Sequence, residues 1–144
     1  RNARVPARRI RGFTFIEIVV AIAIIAILAT VVVPRVIGRV GEARVARAKS
    51  DVQALRTALD TYKLDNFNYP STDQGLQALI NKPGGQPEAA NWKQTLDALP
   101  KDPWGRDYQY LSPGQHGEID VYSLGKDGQP GGEGEDADIG NWTG

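Results

Sequence analysis

The chain contains no cysteine and no methionine, and it has only one histidine and three phenylalanines. The absence of cysteine excludes disulfide bonds and thiolate metal sites. The single histidine, His116, lies in the turn-forming run S-P-G-Q-H-G, and neither a Ser/His/acid arrangement nor a phosphate-binding loop stands out. These absences disfavour an enzyme. The three tryptophans are assigned to packing of a small core: Trp92, Trp104 and Trp142.

Positive charge is scarce outside the first residues, although the whole chain is neutral. Five of the 17 basic residues and none of the 17 acidic ones lie in residues 1–12, which leaves 12 basic and 17 acidic residues, a net charge of −5, in residues 13–144. A net negative charge on residues 13–144 disfavours nucleic-acid binding. By the positive-inside rule the arginine-rich end stays in the cytoplasm, and the chain beyond the next apolar run is exported.

The apolar run covers residues 13–33 and contains only three side chains of another kind, Thr14, Glu17 and Thr30. As an α-helix it would be about 30 Å long, enough to cross a bilayer core. We predict a transmembrane helix here. A secretory signal peptide and a plain signal anchor are the alternatives. The run is longer than the apolar region of a signal peptide, and neither alternative gives Glu17 a role.

Glu17 is the unusual residue of this run, because a carboxylate inside a membrane is costly unless it is paired or protonated. A cut between Gly12 and Phe13 would create an α-ammonium group on Phe13, four residues before Glu17. If that ammonium group belongs to a neighbouring subunit, the ion pair would set the axial register of packed helices. Such a buried pair gives specificity more than stability, because loss of either partner leaves a charge unpaired.

The order G-F-T-F-I-E after a basic leader resembles the leader of type IV pilins and pseudopilins. The resemblance implies that residues 1–12 are a leader removed by prepilin peptidase. This enzyme would cut between Gly12 and Phe13 and methylate the new nitrogen of Phe13. Phe15 and Ile16 replace the commoner leucines, which we do not expect to block processing.

Residues 34–65 continue as an amphipathic helix, since apolar residues recur at spacings of three and four. Pro34, Gly38 and Gly41 are expected to interrupt the helix between its membrane half and its soluble half, because proline removes a backbone donor and glycine weakens helix propensity. In the pilin-like family the matching segment loosens on assembly, so the resemblance makes Pro34 and Gly38 the hinge. The apolar stripe, which should pack on the exported domain, consists of Val45, Ala48, Val52, Leu55, Leu59 and Tyr62.

Residues 66–144 form the predicted globular domain. The helix should end at residues 66–70, where L-D-N-F-N-Y-P combines turn formers with a proline. The run P-K-D-P-W-G-R-D-Y is a cluster of turn signals. The remaining predictions are helix at 74–81 and 91–99 and strand at 108–111 and 119–123.

Several blocks of this domain resemble the major pseudopilins of type II secretion systems, among them Y-K-L-D-N, Y-P-S-T-D-Q-G-L-Q-A-L, D-P-W-G-R-D-Y-Q-Y-L-S-P-G-Q-H-G and S-L-G-K-D-G. The resemblance covers nearly all of residues 13–144. It implies an α+β, pilin-like fold: a long N-terminal helix packs on a small C-terminal domain. That domain would hold short helices, a small antiparallel sheet and a calcium-binding loop.

The same resemblance implies a structural subunit anchored in the bacterial inner membrane, with its domain in the periplasm. Copies would polymerise into a helical filament, the periplasmic pseudopilus, which helps to export folded proteins across the outer membrane. The implied partners are further copies of the chain, prepilin peptidase, the inner-membrane assembly platform, minor pseudopilins and the membrane. A type IV pilus subunit and a membrane-anchored, calcium-dependent binding module are the alternatives.

A glycine-rich run near the C-terminus is crowded with acids: Asp127, Glu133, Glu135, Asp136 and Asp138. Hard oxygen ligands on a flexible loop suit Ca²⁺ better than Zn²⁺ or Mg²⁺. The spacing fails as an EF-hand, and a single β-roll-like repeat is a weak signal, so a solvated acidic loop stays open on spacing alone. The resemblance implies a calcium site with carboxylates from Asp127 and Asp138, the carbonyl of Leu124, and Asp136 as a further ligand.

Overall fold

The computed structural model describes residues 2–6 and 11–143, apart from the side chains of residues 31–37. Within these residues the elements are one α-helix, α1 (Phe15–Asn66), two short 3₁₀ helices and three short strands. The chain divides into two compact units, Arg1–Arg39 and Val40–Gly144. The predicted leader, residues 1–12, lies partly outside the described residues.

The apolar run forms the first part of α1. The large apolar side chains of residues 13–28 are exposed. Over the described part of the chain, no helix combines the length and the apolarity needed to cross a membrane. The transmembrane segment predicted at residues 13–33 ends in residues whose side chains lie outside the described part.

Helix α1 continues without a break through Pro34, Gly38 and Gly41. The predicted interruption is therefore wrong. A proline inside a helix removes one hydrogen bond, and a glycine lowers helix propensity by about 1 kcal/mol. Neither loss ends a helix whose flanks contain strong helix formers, alanine before Pro34 and alanine and arginine after it.

The core of the unit Val40–Gly144 is built on one face of α1, as the apolar stripe predicts. Val52, Leu55 and Leu59 are at most 1% exposed, and Val45, at the start of the stripe, is half-buried. Full burial of such a side chain stabilises a fold by about 1.5–3 kcal/mol. The stripe is thus a main source of stability for the domain. Its partners in the core include Leu76, Leu79, Tyr108, Tyr110, Ile119 and Val121.

The described sheet is antiparallel, with the order β1-β2-β3. Its strands are β1 (Gln109–Leu111), β2 (Asp120–Ser123) and β3 (Ile139–Gly140). The register pairs Tyr110 with Val121 and Ser123 with Ile139. The strands predicted at 108–111 and 119–123 are confirmed to within one residue. β3 was not predicted, because a strand of only two residues is too short to show an alternating pattern.

One of the two predicted short helices is present as a shorter 3₁₀ helix, and the other is wrong. Residues 74–81 contain only one 3₁₀ turn, Leu76–Leu79, and residues 91–99 contain no helix. The N–H groups of Thr95 and Leu96 donate to the carbonyl of Leu79, at 2.9 and 3.2 Å. Tertiary hydrogen bonds thus satisfy backbone groups that the local pattern assigned to a helix.

Helix α1 ends at Asn66, inside the predicted range. The next residue, Phe67, has a left-handed φ of 69°, and its N–H donates to the carbonyl of Lys63 at 2.7 Å. This is the common left-handed helix end, a position that glycine usually takes. Phe67 is 77% exposed, so burial of its ring does not offset the strain.

Candidate functional site

Helix α1 begins with a reciprocal pair of hydrogen bonds between Thr14 and Glu17. The N–H of Thr14 donates to Oε2 of Glu17 at 3.2 Å, and the N–H of Glu17 donates to Oγ1 of Thr14 at 3.3 Å. Since Phe15 is the first helical residue, Thr14 is the N-cap and Glu17 the third residue of the helix. The pair is a capping box, which satisfies two backbone donors that a helix start otherwise leaves unpaired.

The sequence reasoning missed this role of Glu17, although its signal, T-x-x-E before an apolar run, is the capping-box pattern. The carboxylate also lies at the positive end of the helix dipole, where a negative charge stabilises the helix. Glu17 therefore has a partner in its own chain as well as the proposed one in a neighbour. Its role in subunit register stays a prediction.

The predicted cleavage point lies just before this cap. Gly12 and Phe13 are exposed and belong to no helix or strand, and Phe13 is 86% exposed. A peptidase needs an accessible, non-helical bond, so the geometry is compatible with cleavage there. Of the predicted hinge residues, Gly38 is exposed and the side chain of Pro34 lies outside the described part. The hinge role of both stays a prediction.

The predicted metal loop joins β2 to β3. Leu124, its first residue, is half-buried. Asp127 is exposed, and its Oδ1 accepts the N–H of Gln129 at 3.0 Å. Asp136 is half-buried and ends a 3₁₀ turn, Gly134–Asp136.

Asp138 provides the observation that points to a cation. Its Oδ2 accepts the N–H of Gly131 at 3.1 Å, whereas its Oδ1 is buried without a hydrogen-bond partner. An unpaired buried carboxylate oxygen is costly, and a bound cation would remove that cost. Among the described residues, no three His, Cys, Asp or Glu side chains lie close enough to share a metal ion. A site here therefore needs backbone carbonyls too, a ligand set that Ca²⁺ accepts.

A buried network around Asp102 positions the start of the loop. Asp102 Oδ1 accepts the N–H groups of Trp104 and Arg106, at 3.1 and 2.8 Å. Its Oδ2 accepts the hydroxyl of Ser123 at 2.8 Å, and Oγ of Ser123 accepts the N–H of Gly125 at 3.1 Å. The segment D-P-W-G-R, predicted only as a turn, thus fixes the backbone of the loop.

Arg106 binds the loop directly. Its Nη1 donates to the carbonyls of Gly125 and Lys126, at 3.1 and 3.2 Å. Gly128 has φ of 66°, and a Cβ there would lie 2.6 Å from Cζ of Arg106. A side chain at this position would be strained by the left-handed backbone and would displace the guanidinium of Arg106. A search of the sequence for metal ligands does not find Arg106, because it holds carbonyls rather than an ion.

Glu135 joins the loop to α1. A Cβ at the buried Gly41 would lie 2.8 Å from Cδ of Glu135, so the carboxylate packs on the bare helix backbone. Oε1 lies 3.9 Å from Nη1 of Arg44, and Oε2 lies 3.9 Å from Nζ of Lys126. The carbonyl of Glu135 also accepts the N–H of Lys126 at 2.8 Å. Gly41 is thus a contact point in the helix rather than an interruption.

His116 lies in a turn, as predicted, and stacks on Trp142 with ring centroids 3.9 Å apart. Its Nδ1 lies 2.9 Å from Oδ2 of the buried Asp120, which also accepts the N–H groups of Gln115 and His116. Burial alone would raise the pKa of Asp120. The hydrogen bonds from His116 and from the two backbone groups outweigh that effect and hold the pKa below its usual value.

A 52-residue helix that starts with a T-x-x-E cap and carries a small sheet domain on its second half is the architecture of a pilin-like subunit. Residues 7–33 match the family model of the prokaryotic N-terminal methylation motif. Residues 35–142 match the model of type II secretion system protein G. The chain belongs to the type II secretion system protein G family, the major pseudopilins.

The sequences of its relatives align with almost the whole chain. It is 56% identical over 137 residues to the type II secretion system core protein G of Pseudomonas aeruginosa, covering 94% of this chain and 96% of the relative. The protein of the same name from Vibrio cholerae is 55% identical over 138 residues, with 94% of each chain covered. The crystal structure of the major pseudopilin of enterohaemorrhagic Escherichia coli matches with a TM-score of 0.67 and 50% identity, covering 78% of this chain and 97% of that one.

Proposed function

We propose that the chain loses residues 1–12, is methylated at Phe13, and is anchored in the inner membrane by the first part of α1. Copies then polymerise through these helices into a helical periplasmic pseudopilus. The observation that carries the proposal is the apolar surface of residues 13–28, whose large side chains are exposed. Such a surface needs a cover, which lipid supplies before assembly and neighbouring helices supply afterwards.

In this proposal the filament grows from an inner-membrane assembly platform, carries minor pseudopilins, and pushes folded proteins through the outer membrane. Contacts between copies are heterologous and do not close into a ring, which makes a filament. N-terminal sequencing of the protein extracted from membranes tests the first step. The expected first residue is N-methylated phenylalanine, Phe13. Any other first residue contradicts the proposal.

Two substitutions of Glu17 separate its cap from its proposed register role. In Glu17→Gln the side-chain oxygen still accepts the N–H of Thr14, but no ion pair with a neighbour's ammonium group forms. Glu17→Ala loses both interactions. We expect both variants to fail in filament assembly and in secretion of a reporter exoprotein. Normal assembly of Glu17→Gln would contradict the register role and leave the cap as the function of Glu17.

We also propose that the C-terminal loop holds Ca²⁺ through carboxylates of Asp127 and Asp138 and the carbonyl of Leu124. Asp136 would become a further ligand when the loop closes on the ion, since three acidic side chains do not converge in the described structure. The unpaired, buried Oδ1 of Asp138 and the glycine-rich backbone support this. The metal would order a loop whose described residues bury little apolar surface before Ile139.

Thermal unfolding of a fragment beginning at Gly38, with calcium and with chelator, tests the site. Binding to the folded state alone stabilises it by about 2.7 kcal/mol at a ligand concentration 100 times Kd, so we expect calcium to raise Tm by several degrees. Asp138→Ala should abolish the shift. Glu133→Ala, which removes an exposed acid of the same loop, should keep it. Equal Tm values of the unsubstituted fragment in calcium and chelator would contradict the proposal.

A further inference from the structure

The contact between Glu135 and α1 has no role in the metal site proposed above. Gly41 is buried although it lies near the start of the unit Val40–Gly144. What covers it is the carboxylate of Glu135, since the nearest atoms to a Cβ at Gly41 are Cδ, Oε1 and Oε2 of that residue, at 2.8, 3.0 and 3.0 Å. The loop therefore reaches the helix by a side chain that a Cβ at position 41 would displace.

Two cations flank the carboxylate of Glu135 at ion-pair distance, although its Oε1 is buried without a hydrogen-bond partner. Arg44, one turn after Gly41 on α1, lies 3.9 Å from one carboxylate oxygen, and Lys126, on the opposite arm of the loop, lies 3.9 Å from the other. The backbone of Glu135 is tied to the same arm, because its carbonyl accepts the N–H of Lys126 at 2.8 Å. Glu135 thus connects three segments: α1, the first arm of the loop and the 3₁₀ turn Gly134–Asp136.

We infer that Glu135 is a positioning residue that docks the C-terminal loop on α1 at Gly41 and Arg44. Order in the loop is thereby passed to residues 40–48 of α1, a helix segment that begins two residues after Gly38. If the loop binds Ca²⁺, the ion controls the order of that helix segment although it binds elsewhere. Only this calcium-dependent part rests on the proposed function. The docking itself rests on the contacts of Glu135.

Hydrogen exchange of the full-length processed protein in detergent micelles tests the docking. We expect Glu135→Ala to accelerate exchange several-fold in peptides covering residues 40–48, because local opening of the helix no longer has to break this contact. Glu135→Gln keeps the size of the side chain and loses its charge, so it should show a smaller effect of the same sign. Glu133→Ala is the matched control and should leave residues 40–48 unchanged. An unchanged helix in Glu135→Ala, or an equal effect of Glu133→Ala, would overturn the inference.

Gly41→Ala tests the same contact by changing its helix residue instead of Glu135. Alanine favours a helix over glycine, so a view based on propensity alone predicts slower exchange of the helix and an unchanged loop. Docking predicts faster exchange in peptides covering residues 133–138, because the new Cβ displaces Glu135. An unchanged loop in this variant would contradict the docking.

The calcium-dependent part is tested by repeating the exchange with chelator. We expect the unsubstituted protein to lose protection at residues 124–138 and also at residues 40–48. In Glu135→Ala only residues 124–138 should respond. If chelator leaves the exchange of residues 124–138 unchanged, the proposed calcium binding is wrong. The comparison of Glu135→Ala with Glu133→Ala still decides whether the loop docks on the helix. If chelator accelerates exchange at residues 124–138 but not at residues 40–48, calcium does not control the order of the helix segment.

Discussion

At the scale of single residues, Phe67 is a bulky side chain in a backbone conformation that suits glycine. We predict that Phe67→Gly stabilises the domain. Glycine avoids the left-handed strain of about 1–2 kcal/mol, and its greater freedom in the unfolded chain takes back about half of that gain. The expected rise in Tm, measured by circular dichroism on the fragment beginning at Gly38, is about 2–5 °C.

Leu64→Gly is the control for Phe67, since Leu64 is 80% exposed but lies inside α1. Glycine there should lower Tm, because helix propensity falls by about 1 kcal/mol. A similar fall in Phe67→Gly would mean that the φ of 69° is not a source of strain.

Asp120 links stability to acidic pH. Its pKa is held below the usual value in the folded state, whereas the unfolded chain has the ordinary pKa of about 3.9. The stabilisation is therefore complete above pH 5 or so and is lost as pH falls through the folded pKa. Denaturant unfolding from pH 7 down to about pH 2 should show a shallower loss in Asp120→Asn than in the unsubstituted fragment. Asp97→Asn, at an exposed acid for which the described structure shows no ion pair, should keep the original slope.

Residue roles were predictable from the sequence where the partner is near in the chain. The capping pair Thr14 and Glu17 is such a case, and T-x-x-E would have revealed it. The role of Gly41 was not predictable, because the side chain that covers it, Glu135, is 94 positions away. A glycine that accommodates a distant contact and one that weakens a helix look alike in the sequence.

At the scale of elements, a glutamine holds the loop that follows the first 3₁₀ turn. Nε2 of Gln74 donates to the carbonyls of Gly84 and Pro87, at 3.0 and 2.9 Å, and its Oε1 accepts the N–H of Ser71 at 2.9 Å. We predict that Gln74→Ala lowers the free energy of unfolding by about 1–3 kcal/mol. Urea unfolding measures the loss, and hydrogen exchange should accelerate in residues 82–88.

Gln77→Ala serves as the comparison, since Gln77 lies three residues later, in the 3₁₀ turn, and is exposed. Its effect should stay within about 0.5 kcal/mol. If the two variants are equally stable, the hydrogen bonds of Gln74 do not hold the loop.

The elements that the sequence predicted correctly have a repeating pattern. The stripe on α1 has the period of a helix over several turns, and Tyr108, Tyr110, Ile119 and Val121 alternate as strands do. The helix predicted at 74–81 is shorter than expected and the one at 91–99 is wrong, because tertiary contacts such as those of Leu79 decide the structure of short segments. β3 is too short for any period to show.

At the scale of the whole molecule, the domain depends on α1 for its core. The described strands span three, four and two residues, too few to bury a core alone. We predict that a fragment beginning at Lys63 is unfolded, whereas one beginning at Gly38 folds cooperatively. Near-ultraviolet circular dichroism and urea titration distinguish the two. Cooperative unfolding of the shorter fragment would show that the stripe on α1 is dispensable.

The α+β, pilin-like architecture was predictable because it follows from one long helix pattern and from blocks of residues that resemble a family. The metal loop was predictable only in its composition. Its scaffold, made by Asp102, Ser123 and Arg106, depends on a turn about 20 residues earlier in the chain. Short-range patterns carry no information about such pairings.

The placement of the core on α1 also limits what a protease can release. A cut between residues 48 and 62 would divide the face of α1 on which the core of the unit Val40–Gly144 is built, so the C-terminal product would lose its fold. A cut there cannot release the domain as a folded fragment. The cleaved subunit would instead be a substrate for complete degradation.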